Sequence, residues 1–213
     1  MRFEAARLRL EHLPEVLPPG PIALEPEVLA TGAEAPAWVR RGIDGSSRDA
    51  AVLVLVYPDA AGEAMLVLTA RPEGDLRHAG QISFPGGAAD PGDDFPDGTA
   101  LREAAEEVGL DVQAAGVRVV GRLEVVDVRV SGFLLVPVVA LADREPILTP
   151  DPREVAAILR VPVRSFLPDA TIEIVETERD GWRMRYGAFP VGQIRIWGAT
   201  ARVLGQLGAV LGR

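Results

Sequence analysis

Residues Gly86 to Leu110 read GGAADPGDDFPDGTALREAAEEVGL, and within them Arg102 is followed by Glu103, Glu106 and Glu107, three carboxylates in five residues. The apolar positions Leu101, Ala104, Ala105 and Val108 predict a helix over Thr99 to Leu110, capped by Thr99 or Asp97 and stopped by Gly109. On such a helix the i, i+3 and i+4 spacing puts Glu103, Glu106 and Glu107 on one face. Their mutual repulsion, roughly a few tenths of a kcal/mol per pair, calls for a counter-charge. Hard divalent cations such as Mg²⁺ or Mn²⁺ prefer oxygen donors of this kind. Arg102 stands four residues before Glu106 and can pair with it or orient a neighbour. The Gly86-Gly87 pair permits a backbone conformation closed to other residues and can turn a carbonyl toward the same metal. A plainer reading is a solvated acidic face held by arginine pairs, and the sequence around the cluster decides between the two.

Working outward, two apolar runs, Ala50 to Tyr57 and Glu63 to Arg71, flank the turn Pro58-Asp59-Ala60-Ala61-Gly62 and predict a hairpin. Gln81 to Phe84 predicts a short strand before the glycine pair. After the acidic helix come strands over Gly116 to Val126 and Gly132 to Leu141, then a helix near Asp151 to Leu159 started by Pro150 and Pro152. Thr171 to Glu176 and Trp182 to Gly187 straddle a polar tip as a second hairpin, Gln193 to Trp197 is a strand, and Ala199 to Leu211 closes the chain as a helix. Ahead of all this, Phe3, Ala6, Leu8, Leu10 and Leu13 predict an N-terminal helical appendage ending in Leu17-Pro18-Pro19-Gly20. A connecting arm over Ile22 to Ser47, with a short helix near Ala35 to Arg41, completes a division into 1–47 and a domain over 48–213. The order of strands and helices argues for an α/β fold with a mixed sheet and helices on it.

Composition narrows the chemistry. The 213 residues, 48% hydrophobic and 25% charged, can bury the core of one or at most two domains. The balance of 22 basic and 31 acidic residues gives a net charge of -9 with no basic block, which argues against nucleic acid as a partner. Cysteine and lysine are absent, which removes disulfides, thiolate chemistry, a Walker A loop and a Schiff-base lysine. His12 and His78 are too few for a multi-histidine metal centre. Ser83 and Ser131 lie outside any Gly-x-Ser-x-Gly elbow. Hydrolytic chemistry therefore falls to carboxylates, and bound divalent cations would invert the local sign for an anionic substrate. The apolar runs are too short to span a membrane and the N-terminus does not read as a signal peptide, so the expected location is the cytoplasm. Trp182 and Trp197 read as packing residues.

The stretch Gly87, Asp93, Arg102-Glu103-Ala104-Ala105-Glu106-Glu107-Val108-Gly109-Leu110 resembles the Nudix box. Its second half matches at every specified position. In the first half Asp93 stands where the box has Glu, and the linker to Arg102 is one residue longer; pairing Gly87 with Asp93 rather than Ala88 with Asp94 keeps the glycine, since an added loop residue is cheap. Upstream, Val67-Leu68-Thr69-Ala70-Arg71, Gly80 and Phe84-Pro85-Gly86-Gly87 resemble the signature of coenzyme A pyrophosphatases, with Pro72 in place of a small residue and Leu76 in place of an arginine that here comes one position later as Arg77. Ser131-Gly132-Phe133 through Pro137-Val138-Val139 and Ile196-Trp197-Gly198-Ala199-Thr200-Ala201-Arg202 are also similar to that subfamily.

The resemblance implies a Nudix-like α/β/α sandwich and a pyrophosphohydrolase dependent on Mg²⁺ or Mn²⁺. It implies coenzyme A or acyl-CoA as the substrate, with 3′,5′-ADP and (acyl-)4′-phosphopantetheine as products. Alternatives are ADP-ribose or another nucleoside diphosphate derivative, and a non-catalytic Nudix-fold ligand sensor. Implied metal ligands are Gly87, Glu103, Glu106 and Glu107, with Glu103, Glu106, Arg102 and Glu154 as catalytic candidates and Arg71, Arg77 and Gly86 as substrate contacts. Glu103 and Glu154 are the candidate bases. The expected partner is a small-molecule diphosphate, with neither nucleic acid nor membrane, and a homodimer is left open.

Overall fold

A computed structural model of the chain describes residues 1–31, 47–72, 81–128, 131–179 and 181–213. The expected short helix near Ala35 to Arg41, and Arg77 and His78, lie outside the described residues. The central strand β2 (Arg48–Pro58) is buried on both sides along most of its length, and its alternation builds two cores. Ala51, Leu53, Leu55 and Tyr57 point to one face of the sheet; Val52, Val54 and Val56 point to the other. Around β2 are assembled β3 (Ala64–Ala70), β4 (Ile82–Ser83), β5 (Gly86–Ala88), β6 (Arg118–Arg122), β7 (Val126–Val128), β8 (Phe133–Leu141) and β9 (Ala157–Pro162) in one eight-stranded mixed sheet. β2 and β8 run parallel over nine paired residues, from Arg48 opposite Phe133 to Val56 opposite Leu141, while the other pairings are antiparallel.

One face of the sheet carries α2 (Asp97–Val108), with α1 (Phe3–Leu10) and α4 (Gly198–Leu211) on the other, so the fold is an α/β/α sandwich with a mixed sheet. A short helix α3 (Val112–Ala115) follows α2. A smaller sheet of β1 (Glu27–Ala30), β10 (Glu173–Arg179), β11 (Trp182–Val191) and β12 (Ile194–Trp197) packs beside α4. No described helix is long and apolar enough to cross a membrane.

Three sequence expectations change here. The N-terminal helix is no appendage: Phe3, Ala6 and Leu10 are buried in the main core, Phe3 N–H donates to the Gly62 carbonyl at 2.9 Å, and the terminal ammonium pairs with Glu63 at 2.9 Å. The arm is likewise partly folded, with a 3-10 turn at Ile22–Leu24 and β1 paired to β11. The expected helix over Asp151 to Leu159 is absent. A turn occupies 152–154, and the following residues form β9, which pairs with the outer side of β3 from Ala157 opposite Ala70 to Pro162 opposite Met65. An open strand edge with a full ladder of backbone partners outweighs the weak helical preference of a short apolar run.

Candidate active site

The acidic cluster is set by how α2 approaches β5. Ala100, Ala104 and Val108 are the buried apolar positions of the helix, at i, i+4 and i+8, and their small size lets α2 lie close on β2 and β5. Ala105, read as part of the stripe, is exposed. Gly109 adopts the left-handed conformation (φ 63°) that ends the helix, as its sequence position implied. Neither Thr99 nor Asp97 caps the start. Thr99 is buried and its hydroxyl donates to Asp93 at 2.8 Å, while Asp97 pairs with Arg122 at 3.0 Å.

Close approach explains the glycine pair. Gly86 has φ 155°, its N–H donates to Glu107 Oε2 at 3.2 Å, and a Cβ there would stand 2.4 Å from the Ala51 carbonyl oxygen. A Cβ on Gly87 would stand 2.5 Å from the Glu103 carboxyl group. Gly86 meets backbone and excludes a side chain, whereas one at Gly87 would have to displace the Glu103 carboxyl. β5 thus brings its backbone directly against the carboxylates of α2.

The three glutamates do not share one environment. Glu107 is 6% exposed, and burial, opposed by the Gly86 N–H and the positive charge of Arg71, pushes its carboxyl up to about 7. Glu103 is also raised, chiefly by burial, with the charges of Glu106 and Glu154 adding to it and Arg102 opposing. Glu106 faces solvent, its side chain 58% exposed.

Arg102 organises this acidic surface. Its Nε and Nη2 donate to the two Asp93 oxygens at 3.1 and 3.0 Å, its Nη1 reaches Glu103 at 3.0 Å and Glu106 at 3.1 Å, and Nη2 also donates to the Ala88 carbonyl at 3.3 Å. Asp93, rather than Asp94, therefore closes the loop onto α2. The guanidinium fork, the Asp90 N–H and the Thr99 hydroxyl hold the Asp93 carboxyl well below the usual carboxylate range. The Nε, Nη1 and Nη2 of Arg102 are thus all engaged by groups of the protein itself.

Glu154 sits on the turn before β9, not on a helix. Asp151 N–H donates to the Glu107 carbonyl at 2.9 Å and Glu154 N–H to the Asp151 carbonyl at 3.0 Å, so the C-terminal end of α2 anchors the turn. From there the Glu154 charge acts on both Glu103 and Glu107.

A cleft of about 430 Å³ opens beside Gly86 and Gly87. Its lining draws on separate parts of the chain: Arg71 after β3, Phe84 with Gly86 to Ala88, Ser131 and Phe133, and Trp197 to Thr200 at the start of α4. Trp182 is buried as expected of a packing residue, but Trp197 is 42% exposed and lines this cleft.

A domain model described as NUDIX matches residues 47–178. The chain belongs to the Nudix family. An uncharacterized Nudix hydrolase, NudL, of Photorhabdus laumondii is 36% identical over 165 residues, 78% of this chain and 86% of the relative. Its namesake in Pectobacterium atrosepticum is 38% identical over 161 residues, 75% of this chain and 81% of its own. A crystal structure of a Nudix hydrolase from M. smegmatis, RenU, shares 25% identity, covering 55% of this chain and 72% of its own at a TM-score of 0.47. This chain is accordingly a Nudix hydrolase of pyrophosphate linkages.

Nudix hydrolases generally use divalent metals such as Mg²⁺ or Mn²⁺. The donor set of this one fits such an ion: Glu103 and Glu107 are oxygen donors whose ionised forms burial and mutual repulsion disfavour, a cost that a bound cation offsets. As arranged here, Glu103 and Glu106 are turned onto Arg102, and among the described residues no three acidic or histidine side chains converge on one point.

Proposed function

We propose that this Nudix hydrolase cleaves the diphosphate of coenzyme A or acyl-CoA to 3′,5′-ADP and (acyl-)4′-phosphopantetheine. The observation that supports this reading is the cleft lining: residues of the three stretches that resemble coenzyme A pyrophosphatases, Arg71 with Gly86 and Gly87, Ser131 with Phe133, and Trp197 to Thr200, meet in one cleft at β5, the strand whose Gly86 N–H donates to Glu107. When bound at Glu103, Glu106 and Glu107, with the Gly87 carbonyl as a further oxygen donor, Mg²⁺ or Mn²⁺ neutralises the diphosphate and makes a water more acidic. Glu103 and Glu106, which pair with Arg102 here, would have to give up that pairing to hold the metal. Glu107 is oriented by the Gly86 N–H, and Arg102 keeps Asp93 and the loop before α2 in place. Glu103 or Glu154 takes the proton of the attacking water. Arg71, and Arg77 from the signature, hold phosphate oxygens.

The 3′-phosphate separates coenzyme A from its competitors, and in a chain of net charge -9 it needs a local cation such as Arg71. Coenzyme A is therefore expected to show a higher kcat/KM than 3′-dephospho-coenzyme A or ADP-ribose, and Arg71→Ala to lower kcat/KM for coenzyme A about tenfold. Equal rates on coenzyme A and ADP-ribose would reject the substrate assignment and leave diphosphate hydrolysis standing. Tight binding of diphosphates without product at saturating metal would point to a sensor.

A further inference from the structure

We infer that Trp197 is a stacking platform for the nucleobase of the substrate, so that the cleft beside Gly86 and Gly87 takes the nucleotide half and not the pantetheine arm; this rests on the reading of the protein as a hydrolase of coenzyme A-like diphosphates. Trp197 is the last residue of β12, paired in register with Ala188 of β11, and its ring lies against that of Tyr186 at 5.2 Å between centroids and 32° between planes. Backbone and neighbour together fix the indole, yet 42% of the residue remains exposed, in contrast to buried Trp182. Trp197 lines the cleft together with apolar Val52, Ile82 and Leu135. A rigid, accessible aromatic face in an apolar cleft suits a planar π-system better than a flexible chain with amides, which would lose hydrogen bonds to water there. Charge selects the same half. Arg71 lines the same cleft and carries its positive charge there, near enough to Glu107 to act on its carboxyl. The nucleotide half carries phosphate close to its base, whereas the pantetheine arm beyond its own phosphate is uncharged.

The test follows tryptophan emission in the full-length protein during titration with 3′,5′-ADP or with 4′-phosphopantetheine, in the wild type and in Trp197→Phe. 3′,5′-ADP should quench the wild type, 4′-phosphopantetheine should not, and the quench should disappear in Trp197→Phe. In steady-state assays Trp197→Ala should raise KM for coenzyme A at least about tenfold with kcat changed less than about threefold, and Trp197→Phe should restore most of the affinity. The inference is overturned by quenching that persists in Trp197→Phe, by quenching with 4′-phosphopantetheine alone, or by an unchanged KM in folded Trp197→Ala. Quenching by 3′,5′-ADP in a protein that leaves coenzyme A intact would keep the platform and remove the substrate reading. If Trp197→Ala fails to fold, the emission experiment decides alone.

Discussion

Glu107 is the residue on which sequence and structure meet most closely, because the sequence shows that it belongs to an acidic cluster and the structure shows what burying it costs. Its carboxyl, pushed up to about 7 from an ordinary 4.5, binds a proton more tightly in the folded chain than in the unfolded one. A carboxylate raised in this way costs stability as pH rises from about the unfolded value through the folded one, and the full cost is present above both. In a chelating buffer, Glu107→Gln should therefore be more stable than the wild type at pH 8, by about 1–3 kcal/mol, and should lose that advantage by pH 4. Urea unfolding at the two pH values measures it, and a variant less stable than the wild type at pH 8 would contradict the assigned cause. Sequence could not show this difference among the three glutamates, since helical spacing gives a shared face but not the depth of each side chain. Nor could it show that Thr99 serves Asp93 instead of the helix end, because that requires the loop to fold back onto α2.

At the scale of elements, α2 was legible because its constraints are local, small residues at i and i+4 and a glycine stop, whereas the glycine pair read as part of a loop belongs to strand β5, paired with β2. The region after Pro150 was not legible, because its prolines and apolar residues suit a helix start as well as a turn. What decides is the open edge of β3, formed by residues more than eighty positions earlier in the chain. The same element scale makes the glycine pair testable. Gly86→Ala forces a Cβ to within 2.4 Å of the Ala51 carbonyl oxygen and 2.6 Å of Val52 Cα, both backbone atoms of the central strand, at a φ that L-residues rarely adopt. Thermal unfolding should show a loss of about 2 kcal/mol or more, accompanied by loss of turnover. A variant with unchanged melting temperature would mean that β5 lies farther from β2 than described.

For the whole molecule, the core extends into the residues ahead of the family match, which begins at residue 47. α1 packs against α4 and supplies Phe3, Ala6 and Leu10 to the same core as Val52, Val54 and Val56. The sequence pattern of the first residues is amphipathic enough to predict a helix, but which surface a helix covers is a tertiary fact. Phe3→Ala should accordingly destabilise the protein by about 3 kcal/mol, a core-sized loss that an appendage would not produce. Denaturant unfolding checks this, and a change below about 0.5 kcal/mol would restore the appendage reading.

The proposal of metal-assisted diphosphate hydrolysis at α2 is tested most directly by hydrolysis of coenzyme A by the wild type and by Glu107→Gln, with Mg²⁺ or Mn²⁺ and with EDTA. The wild type should release 3′,5′-ADP with metal and none with EDTA, and a folded Glu107→Gln should turn over at least about a hundredfold more slowly. Turnover by Glu107→Gln close to that of the wild type, or hydrolysis undiminished by EDTA, would contradict it.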